Sequence, residues 1–194
     1  MARPKAYDLP SVLTSAMHLF RRRGYAASSI KDLERATGLT PGSIYNGFGD
    51  KDGLFRAAVA HHNATVLQPL IDAHLAGKPG GLTGLRAFLL AQVADPDGDR
   101  AGGLLTNASV ELGRLATPEL AVVHAGLDQL LKAFKRALSQ ARKEGTLAGH
   151  LKLDDTAQRL LVFYQGLQVT MRSGLAIRSL KKVVDAEIDS LRQD

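Results

Sequence analysis

Ser29, Thr40, Ser43 and Asn46 offer short side chains able to hydrogen-bond phosphates and base edges, and they fall within one segment of 18 residues. Thr40 and Ser43 can bond to bases or to phosphates. Pro41 and Gly42 stand between them and add little side-chain bulk, so the backbone there can approach a partner closely. Pro41 can also touch a thymine methyl group. Asn46 can read adenine or face solvent, and Ser29 can hold a phosphate. The plainer alternative for Ser29 and Thr40 is that they cap helices and do nothing more. Nothing here resembles a nucleophile elbow, a phosphate loop or a cofactor fingerprint.

The elements that must place these residues are helices. Apolar residues recur at helical spacing, and no strand-type alternation persists. The pattern predicts a first helix over about 11–23, with Val12, Ala16, Leu19 and Phe20 on one face and Gly24 as its terminator. A second opens at Ser28 or Ser29 with a capping-box pattern, Ser29-Ile30-Lys31-Asp32, and ends at Gly38. A third begins with Thr40 as N-cap and Pro41 in its first turn and stops near Phe48. The turn between the second and third sits where a helix-turn-helix needs it, and that unit places its last helix in the DNA major groove. Here Ile44 and Phe48 are expected in the core.

A fourth helix is predicted from Asp50 to about Leu75, bent or broken near Pro69. Further helices follow over about 82–93, 104–115, 118–144, 155–173 and 180–191. The fold class is therefore all-α, with about nine helices. Residues 1–56 form an expected helix-turn-helix domain, with 41–48 as recognition helix, and 57–194 a helical domain for effector binding and dimerisation.

Charge agrees with a polyanionic partner. Residues 1–56 hold nine Lys and Arg against five acids, so four of the six net positive charges lie in that quarter of the chain. Arg21, Arg22 and Arg23 complement the end of the first helix, and Arg3 and Lys5 form a candidate arm toward the backbone or minor groove. There is no cysteine, which excludes disulfides, thiolate metal sites and thiol sensing. No histidine pair has convincing metal-ligand spacing, so neither a metal nor a cofactor is expected. No apolar run approaches the roughly 20 residues of a membrane span, and no signal-peptide core is present. A cytoplasmic protein without a membrane partner is expected.

The segment from Ala16 to Val59 resembles the DNA-binding domain of the TetR/AcrR transcriptional regulators. The resemblance rests on Ala16, Leu19-Phe20, Gly24-Tyr25, Ser29-Ile30, Leu33, Gly38 through Tyr45, Phe48, Lys51 and Leu54-Phe55. It implies that Tyr45, through its hydroxyl, and Lys51 hold phosphates. It also implies a homodimer on a double-stranded DNA operator, with a variable C-terminal domain sensing a small molecule. Many members carry Gly-Cys-Leu-Leu before the sixth helix; this chain reads Gly102-Gly103-Leu104-Leu105, so cysteine-based sensing is absent.

By position, Phe88, Asn107, Glu111, His124, Phe134, Tyr164, Gln168 and Met171 are candidates to line an effector cavity. The scarcity of charge among them suggests an apolar or aromatic effector. The resemblance places the dimer surface on the last two helices, with Ala157, Leu160, Leu161, Tyr164, Leu167, Val184 and Ile188 as candidate contacts. A ligand-responsive repressor is the leading expectation. A sequence-indifferent nucleic-acid-binding or scaffold protein is the alternative, and a small helical enzyme a weaker one.

Overall fold

The computed structural model describes residues 7–94, 98–113 and 117–193. The expected arm at Arg3 and Lys5, the loop residues Asp95, Pro96 and Asp97, and the end of the helix expected to reach Leu115 lie outside the described residues. Among the described residues the chain is helical and forms no strand. An isolated antiparallel bridge joins Leu147 to Arg192.

Local caps set the first four helices. α1 (Leu9–Arg23) starts two residues before the expected Ser11, because Asp8 is its N-cap and accepts from the Ser11 amide at 3.2 Å. Pro10 then sits in the first turn, where no intrahelical donor is needed. Gly24 ends α1 at φ +86°, a conformation that favours glycine. α2 (Ile30–Thr37) has both halves of its capping box, Ser29 accepting from the Asp32 amide and Asp32 from the Ser29 amide. α3 (Pro41–Phe48) is capped by Thr40, and α4 (Lys51–His62) by Asp50.

α4 does not simply break at Pro69. It continues through a π-helical turn, Asn63–Leu67, into α5 (Gln68–His74), which carries Pro69 in its first turn. Proline lacks an amide proton and crowds the carbonyl four residues back. The wider π turn just before it absorbs that misfit.

The C-terminal body holds α6 (Gly81–Gln92), α7 (Leu104–Leu112), α8 (Pro118–Lys143), α9 (Leu153–Arg172) and α10 (Ile177–Asp189). With α4, the π turn and α5 counted as one rod, there are nine helical rods among the described residues. α8 is the central one and packs on α4, α6, α7 and α9; α1 packs on both α2 and α4. One apolar core runs from Val12 to Leu191. In the head it centres on Phe20, Leu33, Ile44, Leu54 and Phe55, and in the body on Phe88, Leu130 and Phe134, all nearly or wholly inaccessible to solvent. Burying a side chain of this size contributes about 1.5–3 kcal/mol relative to leaving it exposed.

Candidate nucleic-acid interface

Ile44 is fully buried and pins α3 against the head core. Helical period then turns Pro41, Gly42, Tyr45 and Asn46 outward, beside Thr40 at the cap, and all five are exposed. Tyr45 leaves 51% of its surface in solvent, a large aromatic side chain with a hydroxyl free to reach outward. Ser43 is half-buried; its amide donates to Thr40 Oγ1 at 3.2 Å, and the two hydroxyls lie 3.0 Å apart. The outer face of α3 is thus uncharged, with small side chains set around one large aromatic, Tyr45, and the positive end of the helix dipole at Thr40.

Lys51 opens α4 behind this face. Its ammonium donates to the Tyr25 carbonyl oxygen at 3.2 Å and lies 4.3 Å from the centre of the Tyr25 ring. An ammonium has three protons, so this bond leaves donors for a phosphate. The Tyr25 hydroxyl donates to Asp52, and its ring stacks edge-on against Phe55 at 4.8 Å. Burial and the Asp52 carboxylate both push the Tyr25 phenol up from its ordinary value, so it stays protonated.

Ser29 is exposed at the start of α2, but its hydroxyl is committed to Asp32 at 2.6 Å. The hydroxyl and amide of Ser29 and the guanidinium of Arg23 hold the Asp32 carboxyl down at about 2. Arg23 is therefore paired, Arg35 stands 3.9 Å from the same carboxylate, and Arg22 and Lys31 add exposed positive charge on the same head.

Polar contacts join the head to the body. Arg21 pairs with Asp99 at 2.6 Å, and Arg56 pairs with Glu119. The Asn107 amide group donates to the Arg21 carbonyl at 3.0 Å. Glu111 accepts from the backbone amides of Tyr25 and Ala26 at 2.7 and 2.5 Å. His62 lies in the same joint, its Nδ1 3.3 Å from Asn63 Oδ1, with the positive charges of Arg21, His61 and His18 nearby. Burial, then those charges, lower its pKa to about 4. The unfolded ring binds a proton near 6.5, so between those values the unfolded state holds more protons. Stability from neutral His62 is thus fully present above 6.5 and is lost as pH falls toward 4. The thermal midpoint of His62→Gln should accordingly drop less than that of the wild type between about pH 7 and about pH 5. Parallel melting curves for the two proteins would exclude His62 as the source.

The eight effector candidates separate into groups. Phe88, Phe134 and Tyr164 meet in the body core, with ring centroids 5.6 Å apart for Phe88–Phe134 and 6.1 Å for Phe88–Tyr164. Burial alone raises the Tyr164 phenol to about 12. Gln168 and Met171 are buried further along α9. Asn107 and Glu111 do not join them, because both are turned to the head. His124 does not either: it lies on the exposed side of α8.

The dimer candidates need a larger correction. Ala157, Leu160, Tyr164, Leu167, Val184 and Ile188 are all buried within the protomer, and Leu161 is half-buried. The strongest apolar stripe on each helix faces its own core, as amphipathic packing requires. The outward face of α9 is a different set, Val162 (70% exposed), Gly166 and Val169, with Val183 exposed on α10. Sequence reasoning also missed the roles of Tyr25, Asp52 and Glu111. The aromatic after Gly24 was a usable signal for the first; nothing local marks Glu111.

A family of bacterial regulatory proteins, tetR, matches residues 12–58. The HTH-type transcriptional repressor ComR of Escherichia coli (strain K12) is 28% identical over 191 residues, covering 93% of this chain and 87% of its own. The repressor AcnR of Corynebacterium glutamicum is 41% identical over 61 residues, 31% of this chain and 32% of its own. A cysteine-substituted TetR family regulator, CifR, solved with 26-bp double-strand operator DNA, superimposes with a TM-score of 0.84 at 28% identity. That alignment covers 98% of this chain and 100% of CifR. The exposed face of α3, the cation behind it and these relatives agree: residues 12–58 match the tetR family of bacterial regulatory proteins, and the chain is a DNA-binding transcriptional regulator, not an enzyme.

Proposed function

We propose that this regulator is a ligand-responsive repressor that binds a pseudo-palindromic operator as a homodimer. The observation that carries the reading is the outer face of α3, where Thr40, Pro41, Gly42, Tyr45 and Asn46 are exposed on a helix anchored by Ile44. In this reading Tyr45 and Lys51 hold phosphates, Ser29 does so by turning its hydroxyl from Asp32 to the phosphate, and Thr40, Pro41, Ser43 and Asn46 meet base edges or backbone. Gly42 lets the α3 backbone approach closely. Residues 1–56 act as the DNA head and 57–194 as the effector and dimerisation body. Two copies of α3 then enter successive major grooves about 34–36 Å apart.

A small apolar or aromatic effector is taken up in the body against Phe88, Phe134 and Tyr164. It favours a pose in which the two heads no longer match the operator. A strongly polar effector, such as a sugar phosphate, would count against this assignment. A regulator that binds operator DNA works where that DNA lies, in the cytoplasm; no helix among the described residues is long and apolar enough to cross a membrane.

Selection from a random DNA duplex library tests the reading. The wild type should enrich a palindromic motif and prefer it over random DNA by about a thousandfold or more. A Tyr45→Phe, Lys51→Ala double variant should fail to enrich that motif. A folded wild type that enriches nothing would leave sequence-indifferent binding or a scaffold role as the better reading.

A further inference from the structure

The last turn of any α-helix leaves carbonyls without intrahelical donors, and the residues after it leave amides to be satisfied elsewhere. At the end of α1, a helix of the other domain meets both needs. Asn107 and Glu111 stand four residues apart on one face of α7. Asn107 Nδ2 donates to the Arg21 carbonyl at 3.0 Å and to the Ala101 carbonyl at 2.8 Å, so it ties α1 to the segment entering α7. Each oxygen of Glu111 takes one backbone amide, Tyr25 and then Ala26. Bonds to a carboxylate are roughly twice as strong as neutral ones. Gly24 makes the approach fit: a Cβ there would lie 2.9 Å from Glu111 Oε2, at a φ of +86° that disfavours side chains in any case.

The gripped turn carries the phosphate-facing groups. The Tyr25 carbonyl accepts from Lys51 at 3.2 Å and from the Ser28 amide at 3.2 Å, and Ser28 Oγ donates back to the Gly24 carbonyl at 2.6 Å. Ser29 follows at once as the cap of α2. The backbone that α7 holds is therefore the backbone from which Lys51 and Ser29 are both positioned. α7 itself packs on α8 and α9 in the body.

We propose that Asn107 and Glu111 are positioning residues for operator binding: they clamp the α1–α2 turn, and through Tyr25 the Lys51 ammonium, so that a shift of α7 unhooks the phosphate contacts of the head. Hydrogen bonds weaken steeply when distance and angle are lost, so a small displacement of α7 is enough. The clamp rests on the operator reading above and adds a second route from body to head beside the continuous rod of α4.

The test uses the full-length protein and the duplex recovered by selection. Glu111→Ala should weaken binding tenfold or more, and Glu111→Gln, which keeps one acceptor oxygen, should fall between it and the wild type. The slope of log affinity against log salt should shrink by about 0.9 per phosphate released. Lys51→Ala should cost much in the wild type and little on the Glu111→Ala background, because both changes remove the same contact. Hydrogen exchange should speed up at the Tyr25 and Ala26 amides while α9 stays protected. Wild-type affinity in Glu111→Ala, or an equal cost of Lys51→Ala on both backgrounds, overturns the clamp. If Glu111→Ala melts globally, the same readouts on Glu111→Gln decide. A wild type that selects no duplex defeats the operator reading instead, and unchanged exchange at Tyr25 and Ala26 would still overturn the clamp.

Discussion

Gly53→Ala is expected to abolish binding to the selected operator while the C-terminal body stays folded. Glycine inside an exposed helix normally costs stability, and alanine there would be worth about 0.5–1 kcal/mol. Gly53 reverses the sign. It lies in the first turn of α4, its amide donates to Asp50 at 2.7 Å, and a Cβ would fall 1.9 Å from the Phe48 carbonyl oxygen and 3.0 Å from its carbon. Phe48 ends α3, so the obstacle is backbone of the proposed recognition helix and not a side chain that can swing away. α3 must move from α4 by about 1 Å to restore even a 3.0 Å contact. Overpacking of this kind costs typically about 1–3 kcal/mol, and the displacement acts on the face that presents Tyr45. Circular dichroism should show a helical protein whose head melts early, and anisotropy with labelled operator should show no saturable binding. Near-wild-type affinity in Gly53→Ala would mean that α3 and α4 can separate without loss of register. Gly42→Ala is the useful contrast: the space there is open, with Thr40 Oγ1 3.9 Å away, so the fold should tolerate the methyl group.

The helical frame of the candidate N-terminal site was legible because its determinants are local. Ser29 with Asp32, Thr40 with Ser43, Asp50 with Gly53, and the terminators Gly24 and Gly38 each act within a few residues of themselves. A pattern reading sees such pairs directly, and once Ile44 is assigned to the core, helical period fixes which side of α3 is free. Two kinds of information were out of reach. One is contact across long sequence separation. The tie from Lys51 to the Tyr25 carbonyl spans 26 residues and that from Glu111 to the Tyr25 amide 86, and neither leaves a trace in spacing. The other is which of two apolar faces a helix turns inward. On α9 the Ala157, Leu160, Tyr164 and Leu167 stripe was the more conspicuous, and it is the one the protomer core uses. His124 shows the same limit for a single residue: a polar position on a mostly apolar helix reads equally as pocket or solvent, and α8 turns it to solvent. The π turn at Asn63–Leu67 was foreshadowed by Pro69, since a proline inside a long helix has to be accommodated somewhere within the preceding turn.

Val162→Glu should convert the proposed dimer to monomer and weaken operator binding by about 10²–10⁴-fold, with the protomer still folded. Val162 is 70% exposed, so its replacement leaves no cavity and breaks no intramolecular packing. It shares a face of α9 with Gly166 and Val169 at steps of four and three residues, and an added Cβ at Gly166 would meet nothing within 4 Å. Val183 is likewise exposed on α10. A two-fold interface sets the same patch against itself, so one substitution enters twice and brings two carboxylates together out of water. Each head alone still reaches a half-site. What disappears is the effective concentration that the linkage gives to the second head. Leu160→Ala provides the opposing case. That side chain is fully buried on the inner face, and its loss should cost about 2–5 kcal/mol of protomer stability. Light scattering together with thermal melts separates the two: Val162→Glu changes mass at nearly constant protomer stability, and Leu160→Ala changes stability first. A wild type of monomer mass at micromolar concentration, or a Val162→Glu protein that stays dimeric, would move the partner surface away from the outer face of α9. In that event the two heads would need another element to set their spacing.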